Sequence, residues 1–159
     1  MILQKIISGG QTGADTGGLI AGKQLGLQTG GWMPKGFQRL DGLHPEFKEL
    51  YGVLEHTSHN YAARTFINVS ESDGTARFAK DFGSPGELCT LRAIQKYKKP
   101  YYDVNIFDRL DHEAFFKWLE ENHIKVLNVA GNAERRSPGI CQFVVKYLVT
   151  ALEKRIIYV

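Results

Sequence analysis

Short apolar segments alternate with amphipathic segments along most of this chain. Leu3–Ser8 predicts a strand that ends at Gly9-Gly10, and Ala14–Leu25 predicts the helix that follows it. The remaining predicted strands are Gln28–Trp32, Thr75–Lys80, Pro100–Ile106, Lys125–Ala130 and Ile156–Val159. The remaining predicted helices are Asn60–Val69 with Asn60 as its cap, Glu87–Tyr97, Asp111–Glu121 and a last one from Ser137-Pro138 to about Lys154. This alternation predicts an α/β fold, with a mostly parallel, doubly wound sheet and helices on both of its faces.

Two stretches fit the alternation less well. Arg77 interrupts the apolar run of Thr75–Lys80, which predicts a weaker strand there. Residues 33–58 have no clear period, and turn-forming residues such as Pro34, Gly36 and Asp41-Gly42 predict irregular structure.

Glycine is enriched, with 17 residues in a chain of 159 against a usual share of ~7%. Ten of the glycines lie at or just after predicted strands, or at the start of the next helix: Gly9, Gly10, Gly13, Gly30, Gly31, Gly36, Gly83, Gly86, Gly131 and Gly139. Because the carboxyl ends of parallel strands share one rim of a sheet, these loops are expected to converge where such folds bind ligands. Glycine there allows backbone N–H groups to approach a ligand closely.

The loop Ser8–Asp15 is the strongest candidate for anion binding. Its amides and the following helix N-terminus form an anion site, and the Thr12 hydroxyl adds a donor. A tight turn without a ligand is the alternative, since Asp15 can itself accept from the first-turn donors.

Three further segments are expected at the same rim. In the loop after the second strand, Lys35 supplies a charge for a phosphate and Trp32 a stacking face, the alternative being a solvated lysine and a core tryptophan. The other two segments are Ser84–Glu87 and Gly131-Asn132. Arg64 either pairs with an acid or reaches the site. The predicted ligand-binding residues are Gly9, Gly10, Gln11, Thr12, Gly13, Asp15, Gly31, Trp32, Lys35, Gly36, Arg64, Ser84, Pro85, Gly86, Glu87, Gly131 and Asn132.

Length and charge exclude several other classes of protein. The chain is predicted to form one domain over residues 1–159. Twenty basic and 17 acidic residues leave a net charge of +3, and the basic clusters Lys96–Lys99 and Arg135-Arg136 are short. They predict solvated helix ends and not a nucleic-acid surface. No apolar run approaches the length of a membrane span or of a signal peptide, so no membrane partner is expected.

No metal site is expected from the cysteines and histidines. Cys89 and Cys141 lie far apart, which predicts free thiols in a reducing cytoplasm. His56 and His59 have helical spacing but no third ligand nearby, and solvent exposure is the better interpretation for both.

Five motifs, in order along nearly the whole chain, resemble those of the putative molybdenum carrier family. They are Ile7–Asp15, Gly30–Gly36, Tyr61–Thr65 with Asn68-Val69, Ser72–Thr75 and Leu127–Gly131. The resemblance implies a Rossmann-like domain related to the phosphoribohydrolases that were long mistaken for lysine decarboxylases. It also implies the molybdenum cofactor, molybdopterin, or another phosphate-bearing small molecule as the ligand.

The chain departs from the patterns of both families at several positions. Thr16 and Met33 stand where the carrier family commonly has Arg and Cys, and Asn132-Ala133 stands in place of Pro-Arg. Of the phosphoribohydrolase signature, Pro85-Gly86 and Thr90 are present. Glu87, Cys89 and Ala93 stand where that signature has Gly, Gly and its catalytic Glu.

Two hypotheses about function follow. The first is a cytoplasmic binding or carrier protein for a phosphate-bearing small molecule, by resemblance molybdopterin, that forms a homo-oligomer and delivers to a molybdoenzyme acceptor. The alternative is a nucleotide-binding or nucleoside-phosphate-binding hydrolase or sensor, with Glu87, Asp15 or His44 as acid or base. The broken catalytic signature favours the carrier over the enzyme.

Overall fold

The structure is a computed structural model that describes residues 3–156. Its strands are β1 Lys5–Ser8, β2 Gln28–Gly30, β3 Trp32–Met33, β4 Gln38–Arg39, β5 Gly42–Leu43, β6 Leu54–Glu55, β7 Gly74–Ala79, β8 Tyr101–Asn105 and β9 Val126–Gly131. Its α-helices are α1 Ala14–Gln24, α2 Glu46–Tyr51, α3 Tyr61–Glu71, α4 Pro85–Tyr97, α5 His112–Glu121 and α6 Ile140–Leu152. The expected α/β fold with a parallel sheet between helices is confirmed. None of the helices within residues 3–156 is long and apolar enough to cross a bilayer.

Five strands form the central sheet, in the order β2-β1-β9-β7-β8, and every neighbouring pair is parallel. The last strand, β9, lies in the middle, where Asn128 pairs with Ile7 of β1 on one side and Thr75 of β7 on the other. Counting from β9 as the first strand, the sheet follows the Rossmann order 3-2-1-4-5. The order therefore reverses between β9 and β7, which places the expected ligand rim at the carboxyl ends of these two strands.

The helices pack in separate apolar clusters around this sheet. Helices α1, α5 and α6 share the main core with sheet residues such as Ile6, Phe78 and Leu127. Helices α3 and α4 meet in a second cluster, in which Val69 packs with Ile94. The loops at the rim are thus held by elements that are themselves buried.

The strand predicted at Thr75–Lys80 is confirmed as β7, and the charged residue that interrupts its apolar run is buried with its neighbours. All six of its residues are buried, including Arg77. The Arg77 guanidinium forms two 2.7 Å hydrogen bonds with the carboxylate of Asp103 on β8, and its Nη1 donates to the backbone oxygen of Glu87 at 3.1 Å. The charge that interrupts the apolar pattern is therefore neutralised inside the sheet by a partner on the edge strand.

The boundaries of several elements differ from those predicted. Residues 33–58 contain the short helix α2 and two small strand pairs, β3–β6 and β4–β5, which are too short to show a period. Helix α6 begins at Ile140 and not at Pro138, because Gly139 precedes it with a φ of +90°. Asn60 caps α3 as predicted, accepting from the N–H of Ala62 at 2.8 Å. For the predicted strand Ile156–Val159, residues 157–159 lie outside the described part of the chain, and Ile156 has no regular structure.

Candidate functional site

A cleft of about 340 Å³ opens at the switch point between β9 and β7. Five segments line it: the loop after β1 with the first turn of α1, the β4–β5 hairpin, the start of α3, the first turns of α4, and the end of β9 with the loop after it. The lining residues are Gln11, Thr12, Asp15, Leu40, Tyr61, Ala62, Arg64, Thr65, Ser84, Pro85, Gly86, Glu87, Cys89, Thr90, Ala130, Gly131, Ala133, Arg135 and Arg136. The volume lies in the range of small-molecule sites.

The structure brings together about half of the residues that the sequence nominated. Those that line the cleft are Gln11, Thr12, Asp15, Arg64, Ser84, Pro85, Gly86, Glu87 and Gly131. Gly9 lies directly behind it, on a small polar cavity that Arg64 and Asn68 also line. Gly10, Gly13 and Asn132 support the loops without lining the cleft, and the residues of the loop after β2 lie elsewhere.

Three backbone N–H groups of the loop after β1 are used within the protein. The N–H of Gln11 donates to Asp15 Oδ2 at 3.2 Å, that of Gly10 donates to Ser8 Oγ, and that of Ala14 donates to the Asn132 backbone oxygen. For these three N–H groups the structure matches the alternative of a tight turn without a ligand. The Asp15 carboxylate accepts the Gln11 N–H that an anion would otherwise accept. The Thr12 hydroxyl accepts from the N–H of Glu134 at 3.3 Å and still has its own proton to donate.

The glycines at this rim serve two different purposes. A Cβ added at Gly131, whose φ is +151°, would overlap the carbonyl oxygen of Phe78, so this glycine allows two loops to pack against each other. A Cβ at Gly86 would meet nothing within 4 Å. Among the nominated glycines that line the cleft, Gly86 is therefore the one with open space in front of its backbone.

The N-terminus of α4 presents free donors to the cleft. Ser84 is the N-cap and Pro85 the first helical residue, which has no N–H to satisfy. The N–H groups of Gly86 and Glu87 have no acceptor within residues 3–156, since the first intrahelical bond here is from Leu88 to Ser84. These amides and the helix dipole favour an anion at this point.

Two buried carboxyl groups line the same cleft. Glu87 is 4% exposed, and burial raises its pKa, with the nearby Asp15 adding to the rise. Burial also raises the pKa of Asp15, against the opposing effects of Arg64, the Gln11 N–H and Arg39. Buried carboxyls with raised pKa values in a cleft are typical of binding and catalytic sites.

Three arginines supply positive charge to the cleft. Arg64 Nη1 lies 3.5 Å from Asp15 Oδ2, while its buried Nε has no hydrogen-bond partner among residues 3–156. Arg135 and Arg136 are exposed, and Arg136 Nη1 is 3.8 Å from Asp81 Oδ2. Arg135-Arg136 was predicted to be a solvated helix end. The two side chains are exposed, but they lie in the loop before α6 and line the cleft. These side chains provide positive charge although Thr16 and Ala133 replace two arginines of the carrier pattern.

The loop after β2 does not reach the cleft. Trp32 Nε1 donates to Glu71 Oε2 at 3.0 Å, and its ring packs edge-on against His56. Lys35 is exposed, and its backbone N–H donates to the Ser58 oxygen. Of the two glycines nominated there, Gly31 packs against the backbone of Ser8, and the N–H of Gly36 donates to Glu55.

The histidines also lie away from the cleft. His44 sits between the carboxylates of Asp41 and Glu46, at 2.9 and 2.7 Å. His59 is exposed, as expected, whereas His56 is partly buried against Trp32. Within residues 3–156, no cluster of three or more His, Cys, Asp or Glu side chains could hold a metal ion.

Sequence reasoning missed several cleft residues on α3 and α4. Tyr61 and Thr65 lie one turn apart on α3, with Arg64 over the Tyr61 ring at 5.6 Å. Cys89 and Thr90 lie on α4 one turn after the nominated Ser84–Glu87. The signal was the helical spacing itself, since residues three and four positions from Tyr61 share its face.

Comparison with known proteins agrees with this topology. Residues 6–152 match the model of the circularly permutated YpsA SLOG family. The crystal structure of a putative molybdenum carrier protein from Syntrophus aciditrophicus SB, at 1.45 Å resolution, superposes with a TM-score of 0.86. It is 35% identical over 95% of this chain and 96% of that chain, which confirms the resemblance inferred from the motifs. No protein of curated function matches. The chain belongs to the circularly permutated YpsA SLOG family, and its permuted strand order is visible in the central position of β9.

Proposed function

We propose that this protein binds and carries a phosphate-bearing small molecule in the cleft between β9 and β7. The observation that carries the proposal is the coincidence of three features at one switch point. The N–H groups of Gly86 and Glu87 have no acceptor in the described part of the chain, three arginines line the same walls, and the volume of about 340 Å³ suits a small ligand. The carrier name of the structural relative supports a binding role.

In this proposal the phosphate lies at the N-terminus of α4. The amides of Gly86 and Glu87 donate to its oxygens, and Arg135 and Arg136 approach from the loop before α6. Both arginines are exposed, so each is free to reorient onto a ligand. The phosphate-binding role thereby moves away from Lys35, which lies outside the cleft.

The α3 wall is suited to the remainder of the ligand. Tyr61 offers an aromatic face, and Leu40, 59% exposed, projects from the β4–β5 hairpin. Gln11 fastens this hairpin, since its Nε2 donates to the Gln38 oxygen at 2.9 Å. A planar ring system would stack on Tyr61 in place of the predicted Trp32.

The phosphate of molybdopterin suits the anion-binding part of this site. Its phosphate would be held by the α4 amides and the arginines named above. With no cluster of metal-binding side chains within residues 3–156, molybdenum would be held by the pterin's own sulfur atoms. Transfer to a molybdoenzyme acceptor and assembly as a homo-oligomer belong to the same proposal, as does a single domain over residues 1–159.

The test is the ligand content of the protein purified without additions. Mass spectrometry and metal analysis are expected to find a phosphorylated ligand in the wild type. They should find much less in a variant with both Arg135→Ala and Arg136→Ala. Arg109→Ala is the matched control, because this exposed arginine does not line the cleft. If neither molybdopterin nor any nucleotide copurifies or raises the Tm at saturation, the carrier proposal fails.

A second candidate function is hydrolysis of a nucleoside phosphate. The observation that favours it is the pair of buried carboxyls, Asp15 and Glu87, both with raised pKa values in one cleft. A nucleotide panel assayed for release of the free base tests it. Turnover that Glu87→Ala abolishes would support an enzyme, and no turnover with any nucleotide would remove this candidate.

A further inference from the structure

Glu87 lies in the cleft, and no basic side chain within residues 3–156 forms an ion pair with its carboxyl group. Its Oε2 accepts from two neutral donors, Ser84 Oγ at 2.9 Å and Asn132 Nδ2 at 3.1 Å. Its Oε1 accepts no hydrogen bond from residues 3–156 and is not among the fully enclosed atoms that lack a partner. Arg77, the arginine whose field acts on Glu87, uses its guanidinium on the Glu87 backbone oxygen and on Asp103.

Asp15 is the contrasting carboxyl in the same cleft. Its Oδ2 lies 3.5 Å from Arg64 Nη1 and accepts the Gln11 N–H, and Arg39 adds a favourable field. Each of these interactions favours the ionised form of Asp15. Of two neighbouring buried carboxyls, the one without a cationic partner is held in its ionised form less strongly.

We propose that Glu87 determines ligand specificity as a neutral carboxylic acid, its Oε1–H donating a hydrogen bond to an oxygen of the bound anion. Binding an anion therefore takes up one proton from solvent at this carboxyl whenever Glu87 is ionised in the free protein. The inference rests on the proposed anion site at the N-terminus of α4.

The electrostatics of the cleft favour this protonation. Burial and the charge of Asp15 both disfavour an ionised Glu87, against the hydrogen bonds from Ser84 and Asn132, the field of Arg77 and the dipole of α4, whose first turn contains Glu87. An anion at the adjacent Gly86 amide adds a second negative charge within the same walls. The other titratable or charged groups that line the cleft are Tyr61 and Arg64 from α3, Cys89 from α4, and Arg135 and Arg136 from the loop before α6.

Sulfate is the probe for this proton, because it keeps one charge state across the working pH range and cannot itself supply the proton. Calorimetric titration of the wild type is run in two buffers of different ionisation enthalpy, at constant ionic strength. The expected result is net proton uptake, with a binding constant that falls as pH rises, by up to tenfold per pH unit.

The Glu87→Gln variant separates protonation from structure. Glutamine keeps the size of the side chain and a neutral donor, so sulfate binding is expected to lose its pH dependence and proton uptake. Glu121→Gln, an exposed change on α5, is expected to behave as the wild type. Infrared difference spectra of the wild type should show the C=O stretch of a protonated carboxyl appear with sulfate, and Glu87→Gln should lack it.

The outcomes distinguish this inference from the proposed function. Sulfate binding that involves no proton uptake in the wild type overturns the role of Glu87 and leaves the anion site in place. Proton uptake that persists in Glu87→Gln assigns the proton to another group and also overturns it. No sulfate binding at any pH removes the anion site, and both proposals fail together.

Discussion

Asn132 Nδ2 donates a hydrogen bond to Glu87 Oε2 at 3.1 Å, and this contact joins the loop after β9 to the first turn of α4. The same amide nitrogen donates to the Asp81 oxygen, while Oδ1 accepts from the Lys80 N–H and the Ser137 hydroxyl. All four hydrogen-bonding positions of the side chain are used within the protein. Asn132 therefore holds the walls of the cleft together and has no free donor for a ligand.

Asn132→Ala is expected to destabilise the fold by about 3 kcal/mol, because it leaves several buried groups without partners. Urea denaturation at neutral pH measures this difference. Asn122→Ala is the control: within residues 3–156 the exposed side chain of Asn122 makes one hydrogen bond, to the Trp118 oxygen, and its loss should cost less than about 1 kcal/mol. Equal costs for the two variants would show that Asn132 does not tie the loops.

Gly131→Ala and Gly86→Ala are expected to differ sharply in their effect on stability. The new Cβ at Gly131 collides with the Phe78 carbonyl in a backbone conformation that alanine disfavours, so about 3 kcal/mol or more should be lost. At Gly86 the Cβ meets nothing, and alanine is expected to stabilise the helix by about 0.5 kcal/mol. Thermal unfolding of the two purified variants makes the comparison. A milder effect at Gly131 than at Gly86 would contradict the close packing of the Gly131 backbone against Phe78.

Asp103→Ala is expected to cost about 2–3 kcal/mol in the free energy of unfolding. It leaves the Arg77 guanidinium, whose side chain is 4% exposed, without its carboxylate partner. Because Asp103 is itself 34% exposed, water can partly replace it, which keeps the cost below that of a fully buried pair. Asp108→Ala, at an exposed carboxyl in the loop after β8, should change stability by no more than about 0.5 kcal/mol. Guanidinium denaturation of both variants measures the two losses. Equal denaturation midpoints for Asp103→Ala and Asp108→Ala would show that Asp103 does not stabilise the buried Arg77.

The pH dependence of stability should report the raised pKa of Glu87. A carboxyl whose pKa is higher in the folded than in the unfolded state stabilises the fold below its unfolded value, near 4.5 for Glu. That contribution is lost as pH rises through the folded pKa. Glu87→Gln is therefore expected to gain stability relative to the wild type as pH increases from 4.5 toward neutrality. Urea midpoints across this range measure the gain, and a constant difference between the two proteins would show that Glu87 titrates normally.

Sequence patterns predicted most of the helices and strands, because caps and apolar runs depend on residues that are close together in the chain. The cap at Asn60 and the apolar runs of β1 and β9 depend on neighbouring residues alone. The two-residue strands β3 to β6 could not be predicted, since each is defined by a partner and not by a period. The pattern located β7 but could not explain its Arg77, because the partner of this arginine, Asp103, is far along the chain.

The sequence by itself determined the α/β alternation, the family motifs and the glycine-rich loops that gather at one rim. Only the tertiary structure decided that β9 enters between β1 and β7, because strand order depends on long-range pairing. That insertion brings Arg135 and Arg136 to the cleft and leaves Trp32 and Lys35 outside it. The different roles of the glycines could also be seen only in the tertiary structure. At Gly131 a backbone carbonyl occupies the position of a Cβ, whereas at Gly86 that position is open.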